Sequence, residues 1–385
     1  MDFTQSDELK DIREAVRALC ADFPGSYWRA LEPDRYPTEF VQALTDNGWL
    51  AALIPEVYGG SGLGIGAASA ILEEVCASGC NAGACHAQMY TMGTLLRHGS
   101  DAQKAKYLPR IAAGELRLQA FGVTEPDAGS DTTKITTFAR RTEAGYVVDG
   151  KKIWTSRAEH SDLMVLLART TPAAQVDKKT EGLSVFLVDL RNRGSQLTIK
   201  PIATMMNHAT TEVFMDGLEL PADALIGEEG KGFRYILDGM NAERILIAAE
   251  CIGDGRFFVE RGSAYASERV VFGRPIGANQ GVQFPLARSH MAIEAADLMR
   301  WKAAWLYEAG EPAGAEANMA KFLASEASWQ AANAALDAHG GFGFAAEYEI
   351  ERKFRETRLY QIAPVSNNLV QAFVGQHVLG LPRSY

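Results

Sequence analysis

The sequence predicts an α+β protein of several domains: an N-terminal α-helical domain (1–115), a middle antiparallel β-domain (116–228) and a C-terminal antiparallel helical bundle (229–385). Three textures, each confined to one stretch of the chain, predict it. Up to about Glu115, apolar residues recur at helical spacing. From Leu116 to Glu228 the runs become β-branched and alternating, broken by turn residues. After Glu229 long amphipathic runs return with short polar connections, the pattern of antiparallel helices.

The helical segments of the first zone are DELKDIREAVRALCADF, EFVQALTDNGWLAAL, AASAILEEVCASG and DAQKAKYLPRIAAGE, with Thr4 or Ser6 as cap of the first. GGSGLGIGAA, from Gly59 to Ala68, places Gly62, Gly64 and Ala67 at the spacing of a dinucleotide fingerprint. That fingerprint needs a tight strand-to-helix turn and an acid about 20 residues on. Here Pro55 to Tyr58 intervene, no acid stands near Ala82 and no parallel strand follows, so the run predicts a helix–helix loop. The strands of the second zone are TTFARRT, YVVDGKKIWT, LMVLLART, LSVFLVDL, QLTIKPI and TEVFMDGLEL. GEEGKG, from Gly227 to Gly232, reads as the hinge into the bundle. No internal repeat or low-complexity tract interrupts this order.

Composition excludes several classes. A chain of 385 residues with 47% hydrophobic residues can build more than one core, yet it holds no run of about 18 apolar residues, so no membrane span is expected. The acidic N-terminus is neither a secretory signal nor an Arg-rich transit peptide, and five cysteines make no disulfide framework, so a cytoplasmic location is expected. A net charge of -10 argues against nucleic-acid binding and requires that any polyanionic cofactor meet local basic groups. Cys76, Cys80, Cys85 and His86 fall in an Ala- and Gly-rich helical stretch and read as close packing, so no metal site is expected. His160 and His208 receive no role.

Two segments carry chemistry. FGVTEPDAGSD, from Phe121 to Asp131, sets the hydroxyls of Thr124 and Ser130 on either side of a bend at Pro126, Asp127 and Gly129. GKKIWTS, from Gly150 to Ser156, ends a strand with an aromatic residue and two hydroxyls. Neutral donors, a closely approaching backbone and an apolar wall are what an isoalloxazine ring needs, so the pair reads as a flavin dock.

This order of segments resembles the acyl-CoA dehydrogenase family. The resemblance spans nearly the whole chain, through HGSDAQKAKYLPRIAAGE before the sheet, ERVVFGRPIG with Gln280 in the bundle, and HGGFGFAAEYEIERKFRETRLYQI near the end. It implies a C-terminal four-helix bundle and an FAD enzyme that takes an α-proton and a β-hydride from an acyl-CoA thioester. The product would be a trans-2-enoyl-CoA, and electron-transfer flavoprotein would reoxidise the flavin. Carried over by position, Phe121, Val123 and Thr124 would lie along the flavin, Ser130 would meet its pyrophosphate, Trp154 would flank the ring and Ser156 would donate near the hydride-accepting nitrogen. Arg269, Phe272 and Gln280 match positions that reach a neighbouring subunit's FAD, and Gly340 and Gly341 would let the backbone approach it. The resemblance therefore implies a homotetramer, a dimer of dimers.

The base departs from the commonest family pattern. Many members carry a glutamate just after the RxxxxYQI stretch, where this chain has Ala363, Pro364, Val365 and Ser366. Long-chain and isovaleryl-type members instead place the base on a bundle helix before an arginine, and this chain reads Asn241, Ala242, Glu243, Arg244. The resemblance thus implies Glu243 as catalytic base, with Arg244 and Ser130 on the substrate side. Pro364 has no N–H to offer the thioester carbonyl, so either the loop offers another, such as that of Val365, or the reaction is slowed. Asp337 stands where many members have a glutamine near the FAD phosphates, so it is expected to turn away or be neutralised. The His86 to Met92 segment would line the acyl pocket, with Gln88, Met89 and Tyr90 giving it an unusual shape. Two alternatives accompany this reading: a dehydrogenase of carrier-protein thioesters, and a catalytically silent subunit paired with an active homologue.

Overall fold

A computed structural model describes residues 6–191 and 194–383. Six helices come first: α1 (Asp7–Ala21), α2 (Gly25–Leu31), α3 (Thr38–Asp46), α4 (Ile65–Ala77), α5 (Gly83–His98) and α6 (Asp101–Ala112). Eight strands follow: β1 (Leu118–Gly122), β2 (Phe138–Arg141), β3 (Gly145–Ser156), β4 (Leu163–Arg169), β5 (Leu183–Asp189), β6 (Leu197–Pro201), β7 (Thr210–Pro221) and β8 (Leu225–Ile226). The rest is α7 (Gly232–Glu268), a hairpin of β9 (Val270–Val271) and β10 (Arg274–Pro275), then α8 (Gln280–Glu308), α9 (Gly314–His339), α10 (Ile350–Thr357) and α11 (Asn367–Phe373). No described helix is long and apolar enough to cross a membrane.

Local chemistry sets the helix ends. The Ser6 hydroxyl accepts from Leu9 N and caps α1, while Thr4, the other candidate cap, lies outside the described residues. Ser100 and Gln103 form a full capping box on α6. Gly48, at φ 76, stops α3 before a single 3₁₀ turn at Trp49–Ala51, so EFVQALTDNGWLAAL is not one continuous helix. The Gly59–Gly64 run is a turn leading into α4, as a helix–helix loop requires.

By contacts the chain divides into two units, and the N-terminal helices are shared between them. One unit holds residues 33–63 and 83–240, with α3, α5, α6 and the sheet. Its strand order is β6-β7-β3-β2-β4-β5-β8, with β1 beside β4. The sheet is mostly antiparallel, but β4 pairs in parallel with β1 and β2, an arrangement that alternation within a strand does not reveal. β4 is buried on both faces. Leu163, Val165 and Leu167 join a core with Leu95 of α5 and Leu108 of α6, whereas Met164, Leu166 and Ala168 join a second core with Tyr146, Phe186 and Val213. Its continuous apolar run is the signature of a strand covered on both sides.

The other unit holds residues 6–32, 64–82 and 241–383. Its frame is α7, which begins in the first unit's segment, with α8 and α9, completed by the shorter α10 and α11. α9 presents Ala317, Ala320, Ala324, Ala327, Ala331 and Ala335 inward, small residues that allow close helix approach. Glu73 of α4, almost wholly buried, is neutralised by Arg13, Arg256 and Arg300, the first at 2.6 Å and the last at 2.8 Å. α7 crosses α4 so closely at Gly253 that an added Cβ would stand 2.2 Å from the Glu73 carbonyl oxygen and 2.7 Å from Cys76 Cβ. Gly253→Val is therefore expected to lower stability by roughly 1–3 kcal/mol or more, read as a reduced urea midpoint.

Candidate functional site

In the sheet unit the structure brings the two dock segments together. β1 delivers Phe121 and Gly122, and the chain then runs beside β3: Ile153 N donates to the Thr124 carbonyl at 2.9 Å, and Lys152 Nζ donates to the Val123 carbonyl at 3.0 Å. The strongest tie is the ion pair between Lys152 Nζ and Glu125 Oε1 at 2.8 Å, both side chains buried. Glu125 also accepts from Thr136 N at 2.6 Å, Thr136 Oγ1 at 2.9 Å and Thr137 N at 2.9 Å. Lys152 and these donors overcome the cost of burial and hold its carboxyl down at about 2. Burial draws Lys152 down to about 8, still protonated at neutral pH.

Next to this anchor β3 bulges. Between Lys152 and Thr155 the register with β7 slips, and Trp154 adopts φ 60, a left-handed conformation costly for a bulky side chain. Its indole is 57% exposed. The strained backbone thus turns a large apolar ring outward rather than into the core. Phe121 and Val123 are half-buried, and the Phe121 ring meets Tyr90 of α5 edge-on at 5.6 Å. The hydroxyls of Thr124, Ser130 and Ser156 are at least partly accessible and have no hydrogen-bond partner among the described residues. The segments thus offer three unused donors, an exposed indole and an apolar edge.

In the helical unit Glu243 lies on α7 and is only 8% exposed. A solvated helix carboxylate would not be buried so deeply. Burial lowers the basicity of the neighbouring Arg244, while the Glu243 charge opposes that shift. Arg244 Nη1 donates to Asn241 Oδ1 at 3.0 Å. Lys321 of α9 senses the Arg244 charge and donates to the Val365 carbonyl and to Asn367 Oδ1, each at 2.7 Å. Lys321 thus fastens the Val365–Asn367 segment to α9.

A concavity of about 590 Å³ in the same unit is lined by Arg269, Gly340 and Gly341, with Tyr265, His339 and Phe342. Gly340 sits at φ 56, ψ -131, a conformation for glycine, and a Cβ at Gly341 would meet no protein atom within 4 Å. Tyr265 stacks on His339 at 4.2 Å, and the Arg269 guanidinium lies 5.6 Å from the Phe342 ring centroid. Aromatic faces beside an arginine suit a base joined to phosphates. Phe272 and Gln280 do not line this concavity: Phe272 is fully exposed at the tip of the β9–β10 hairpin and Gln280 opens α8 at the surface. Asp337 is exposed and is not among the residues that line it. Cys76, Cys80, Cys85 and His86 are each buried, and Cys85 Sγ points to the Trp49 carbonyl at 3.9 Å. Sequence reasoning missed Lys152, Glu125, Lys321 and Tyr265. Tyr265 stands one helical turn before Arg269.

Three family descriptions match in order: Acyl-CoA dehydrogenase, N-terminal domain, over residues 6–115; middle domain, over 120–218; and C-terminal domain, over 230–378. The chain is 37% identical over its full length to acyl-CoA dehydrogenase FadE12 of Mycobacterium tuberculosis, covering 99% of that protein. It is similar to a solved glutaryl-coenzyme A dehydrogenase in complex with glutaryl-CoA, at a TM-score of 0.90 and 30% identity, over 100% of this chain and 98% of that one. The structure titled PigA with FAD and proline is similar at a TM-score of 0.91 and 26% identity, over 99% of this chain and 100% of that one.

The anchor has a measurable signature. Because the Glu125 carboxyl titrates at about 2 rather than the ordinary 4.5, its contribution is fully present above pH 4.5 and is lost as pH falls toward 2. The loss amounts to roughly 3 kcal/mol. Glu125→Gln is expected to flatten the stability curve in that window, measured by urea unfolding at each pH.

Proposed function

The chain belongs to the acyl-CoA dehydrogenase family, and from that premise we propose that it oxidises an acyl-CoA thioester to the trans-2-enoyl-CoA, with FAD as cofactor and Glu243 as the α-proton base. The observation that carries this reading is the burial of Glu243 on α7. A carboxylate that takes a weakly acidic C–H proton gains from desolvation, which lifts its basicity toward neutrality. Arg244, next in sequence and partly buried, sets an opposite charge beside it. Pro364 leaves the loop one N–H short, and the N–H of Val365 takes the thioester carbonyl as it gains enolate character.

FAD supplies the acceptor for the β-hydride when bound. Phe121, Val123 and Trp154 wall its ring, Thr124 and Ser156 donate to its edge, and Ser130 meets its pyrophosphate. Arg269, Gly340 and Gly341 receive the nucleotide end of an FAD held by another copy, with Phe272 and Gln280 reaching across. Ser130 and Arg244 also border the thioester. Electron-transfer flavoprotein is the oxidant that completes the cycle. Assembly as a homotetramer is supported by α8, where Phe284, Met291, Leu298 and Trp305, each more than half exposed, recur every seven residues. That repeat keeps an apolar seam facing a partner helix, and the occupant proposed is a second copy of this chain.

Two experiments test these assignments. Glu243→Gln, loaded with FAD and mixed anaerobically with thioester, is expected to lose flavin bleaching by at least about 10²-fold, the scale of a general base. Undiminished bleaching removes Glu243 from the mechanism. Met291→Lys combined with Trp305→Lys is expected to yield a smaller particle in sedimentation, and an unchanged mass places the subunit contact elsewhere.

A further inference from the structure

We propose that Cys20 and Cys80 form a dithiol that a small disulfide can oxidise to an intramolecular disulfide, a reversible staple between the end of α1 and the end of α4. Neither thiol has a part in the proposed dehydrogenation.

Local structure brings the two sulfurs together. Cys20 is the last residue but one of α1. Past the end of α4, Gly79 at φ 82 lets its own N–H reach the Cys76 carbonyl and the N–H of Cys80 reach the Val75 carbonyl, a closed helix stop that fixes where Cys80 lies. Two cations of α10 clamp the same turn: Lys353 Nζ donates to the Cys80 carbonyl at 3.1 Å and Arg352 Nη2 to the Gly79 carbonyl at 2.7 Å. From this turn Cys80 Sγ lies 3.8 Å from the Cys20 carbonyl oxygen and 3.7 Å from that of Phe23. The Cys20 thiol hydrogen-bonds the same sulfur. Both residues are buried, and all five cysteines are free thiols.

Burial alone makes a thiol inert, but these two sit in unequal surroundings. The hydrogen bond from Cys20 draws the Cys80 thiol below its ordinary range against the effect of burial, helped by the Trp28 indole and by the charges of Lys353 and Arg352. The same bond, with burial, pushes the Cys20 thiol up. Cys80 is therefore the sulfur that attacks and Cys20 the one that resolves. The Cys80 thiolate attacks one sulfur of a small disulfide, releasing one small thiol and leaving a mixed disulfide on Cys80. Cys20 then gives up its proton and attacks the Cys80 sulfur, the protein disulfide forms, and the second small thiol leaves with a proton. Two protein thiols are oxidised and one small disulfide is reduced. Attack waits on local opening of the short link between α1 and α2, whose Phe23 carbonyl lies against Cys80 Sγ. The bond joins residues 60 apart, so it restricts the unfolded chain and stabilises the folded one.

The test incubates the FAD-loaded full chain with hydroxyethyl disulfide, blocks the remaining thiols after denaturation and maps linked peptides by mass. The expected result is the loss of two of the five thiols, a linked peptide pair carrying Cys20 and Cys80, and the return of all five on adding dithiothreitol. The linked form is expected to melt a few degrees higher than the reduced one. Cys20→Ser is expected to form no internal disulfide, whereas Cys251→Ser, changed on α7, forms the same bond as the unaltered protein. Five thiols surviving in the unaltered protein overturn the proposal, as does a bond mapped to any other pair or an internal disulfide still formed in Cys20→Ser. A linked form whose Tm is unchanged or lower overturns the staple. Should Cys20→Ser fail to fold, the peptide map of the unaltered protein decides alone.

Discussion

The ion pair between Lys152 and Glu125 is the constraint on which the meeting of the segments Phe121–Asp131 and Gly150–Ser156 depends. It lies where β3 meets the segment leaving β1, and each side chain has one purpose that burial makes exclusive. Glu125 closes the Pro126 to Ser130 bend by gathering Thr136 and Thr137 around its carboxylate. Lys152 reaches past it to the Val123 carbonyl. Breaking one partner of such a pair leaves a buried charge and costs about 3–5 kcal/mol, far more than the pair contributes over an apolar substitute. The pair is therefore better understood as a register device than as a source of stability. It sets Thr124 and Ser130 on one segment opposite Trp154 and Ser156 on the other, and the bulge that throws Trp154 outward begins one residue after it.

The helical unit poses a different question. Pro364 can neither accept a proton nor donate an N–H, so the proposed chemistry falls to Glu243 on α7. Glu243 and Lys321 of this unit are buried and Arg244 partly so, where water is scarce. In such a place small displacements change rates strongly, because electrostatic terms are large and hydrogen bonds have no solvent to replace them. The concavity around Arg269 belongs to the same unit but shows another logic: aromatic stacking and bare glycine backbone, with Asp337 kept outside.

Much of this was legible in the sequence where the signal is local. Helical spacing, strand alternation and turn residues separated the three zones, and the vacancy at Pro364 directed attention to Glu243. The parallel pairing of β4 with β1 and β2 was not legible, since a strand's own pattern shows how it is covered and not which neighbour it takes. Nor were the anchors. Lys152 and Glu125 are 27 residues apart, and Lys321 lies 44 residues before the carbonyl it holds. Residues at such separations meet only through the fold. The division of the N-terminal helices between two units was hidden for the same reason: α4 and α5 are adjacent in sequence but belong to different sets of contacts.

The claim that the Lys152–Glu125 pair exists to align the dock is tested most directly by the FAD dissociation constant across a double-mutant cycle of Lys152→Met and Glu125→Leu. Alignment through the pair predicts that each single change weakens FAD binding by roughly tenfold or more and that the double change costs little beyond either, a coupling of at least about 1 kcal/mol. FAD binding unchanged in Lys152→Met, or single effects that simply add, would contradict it.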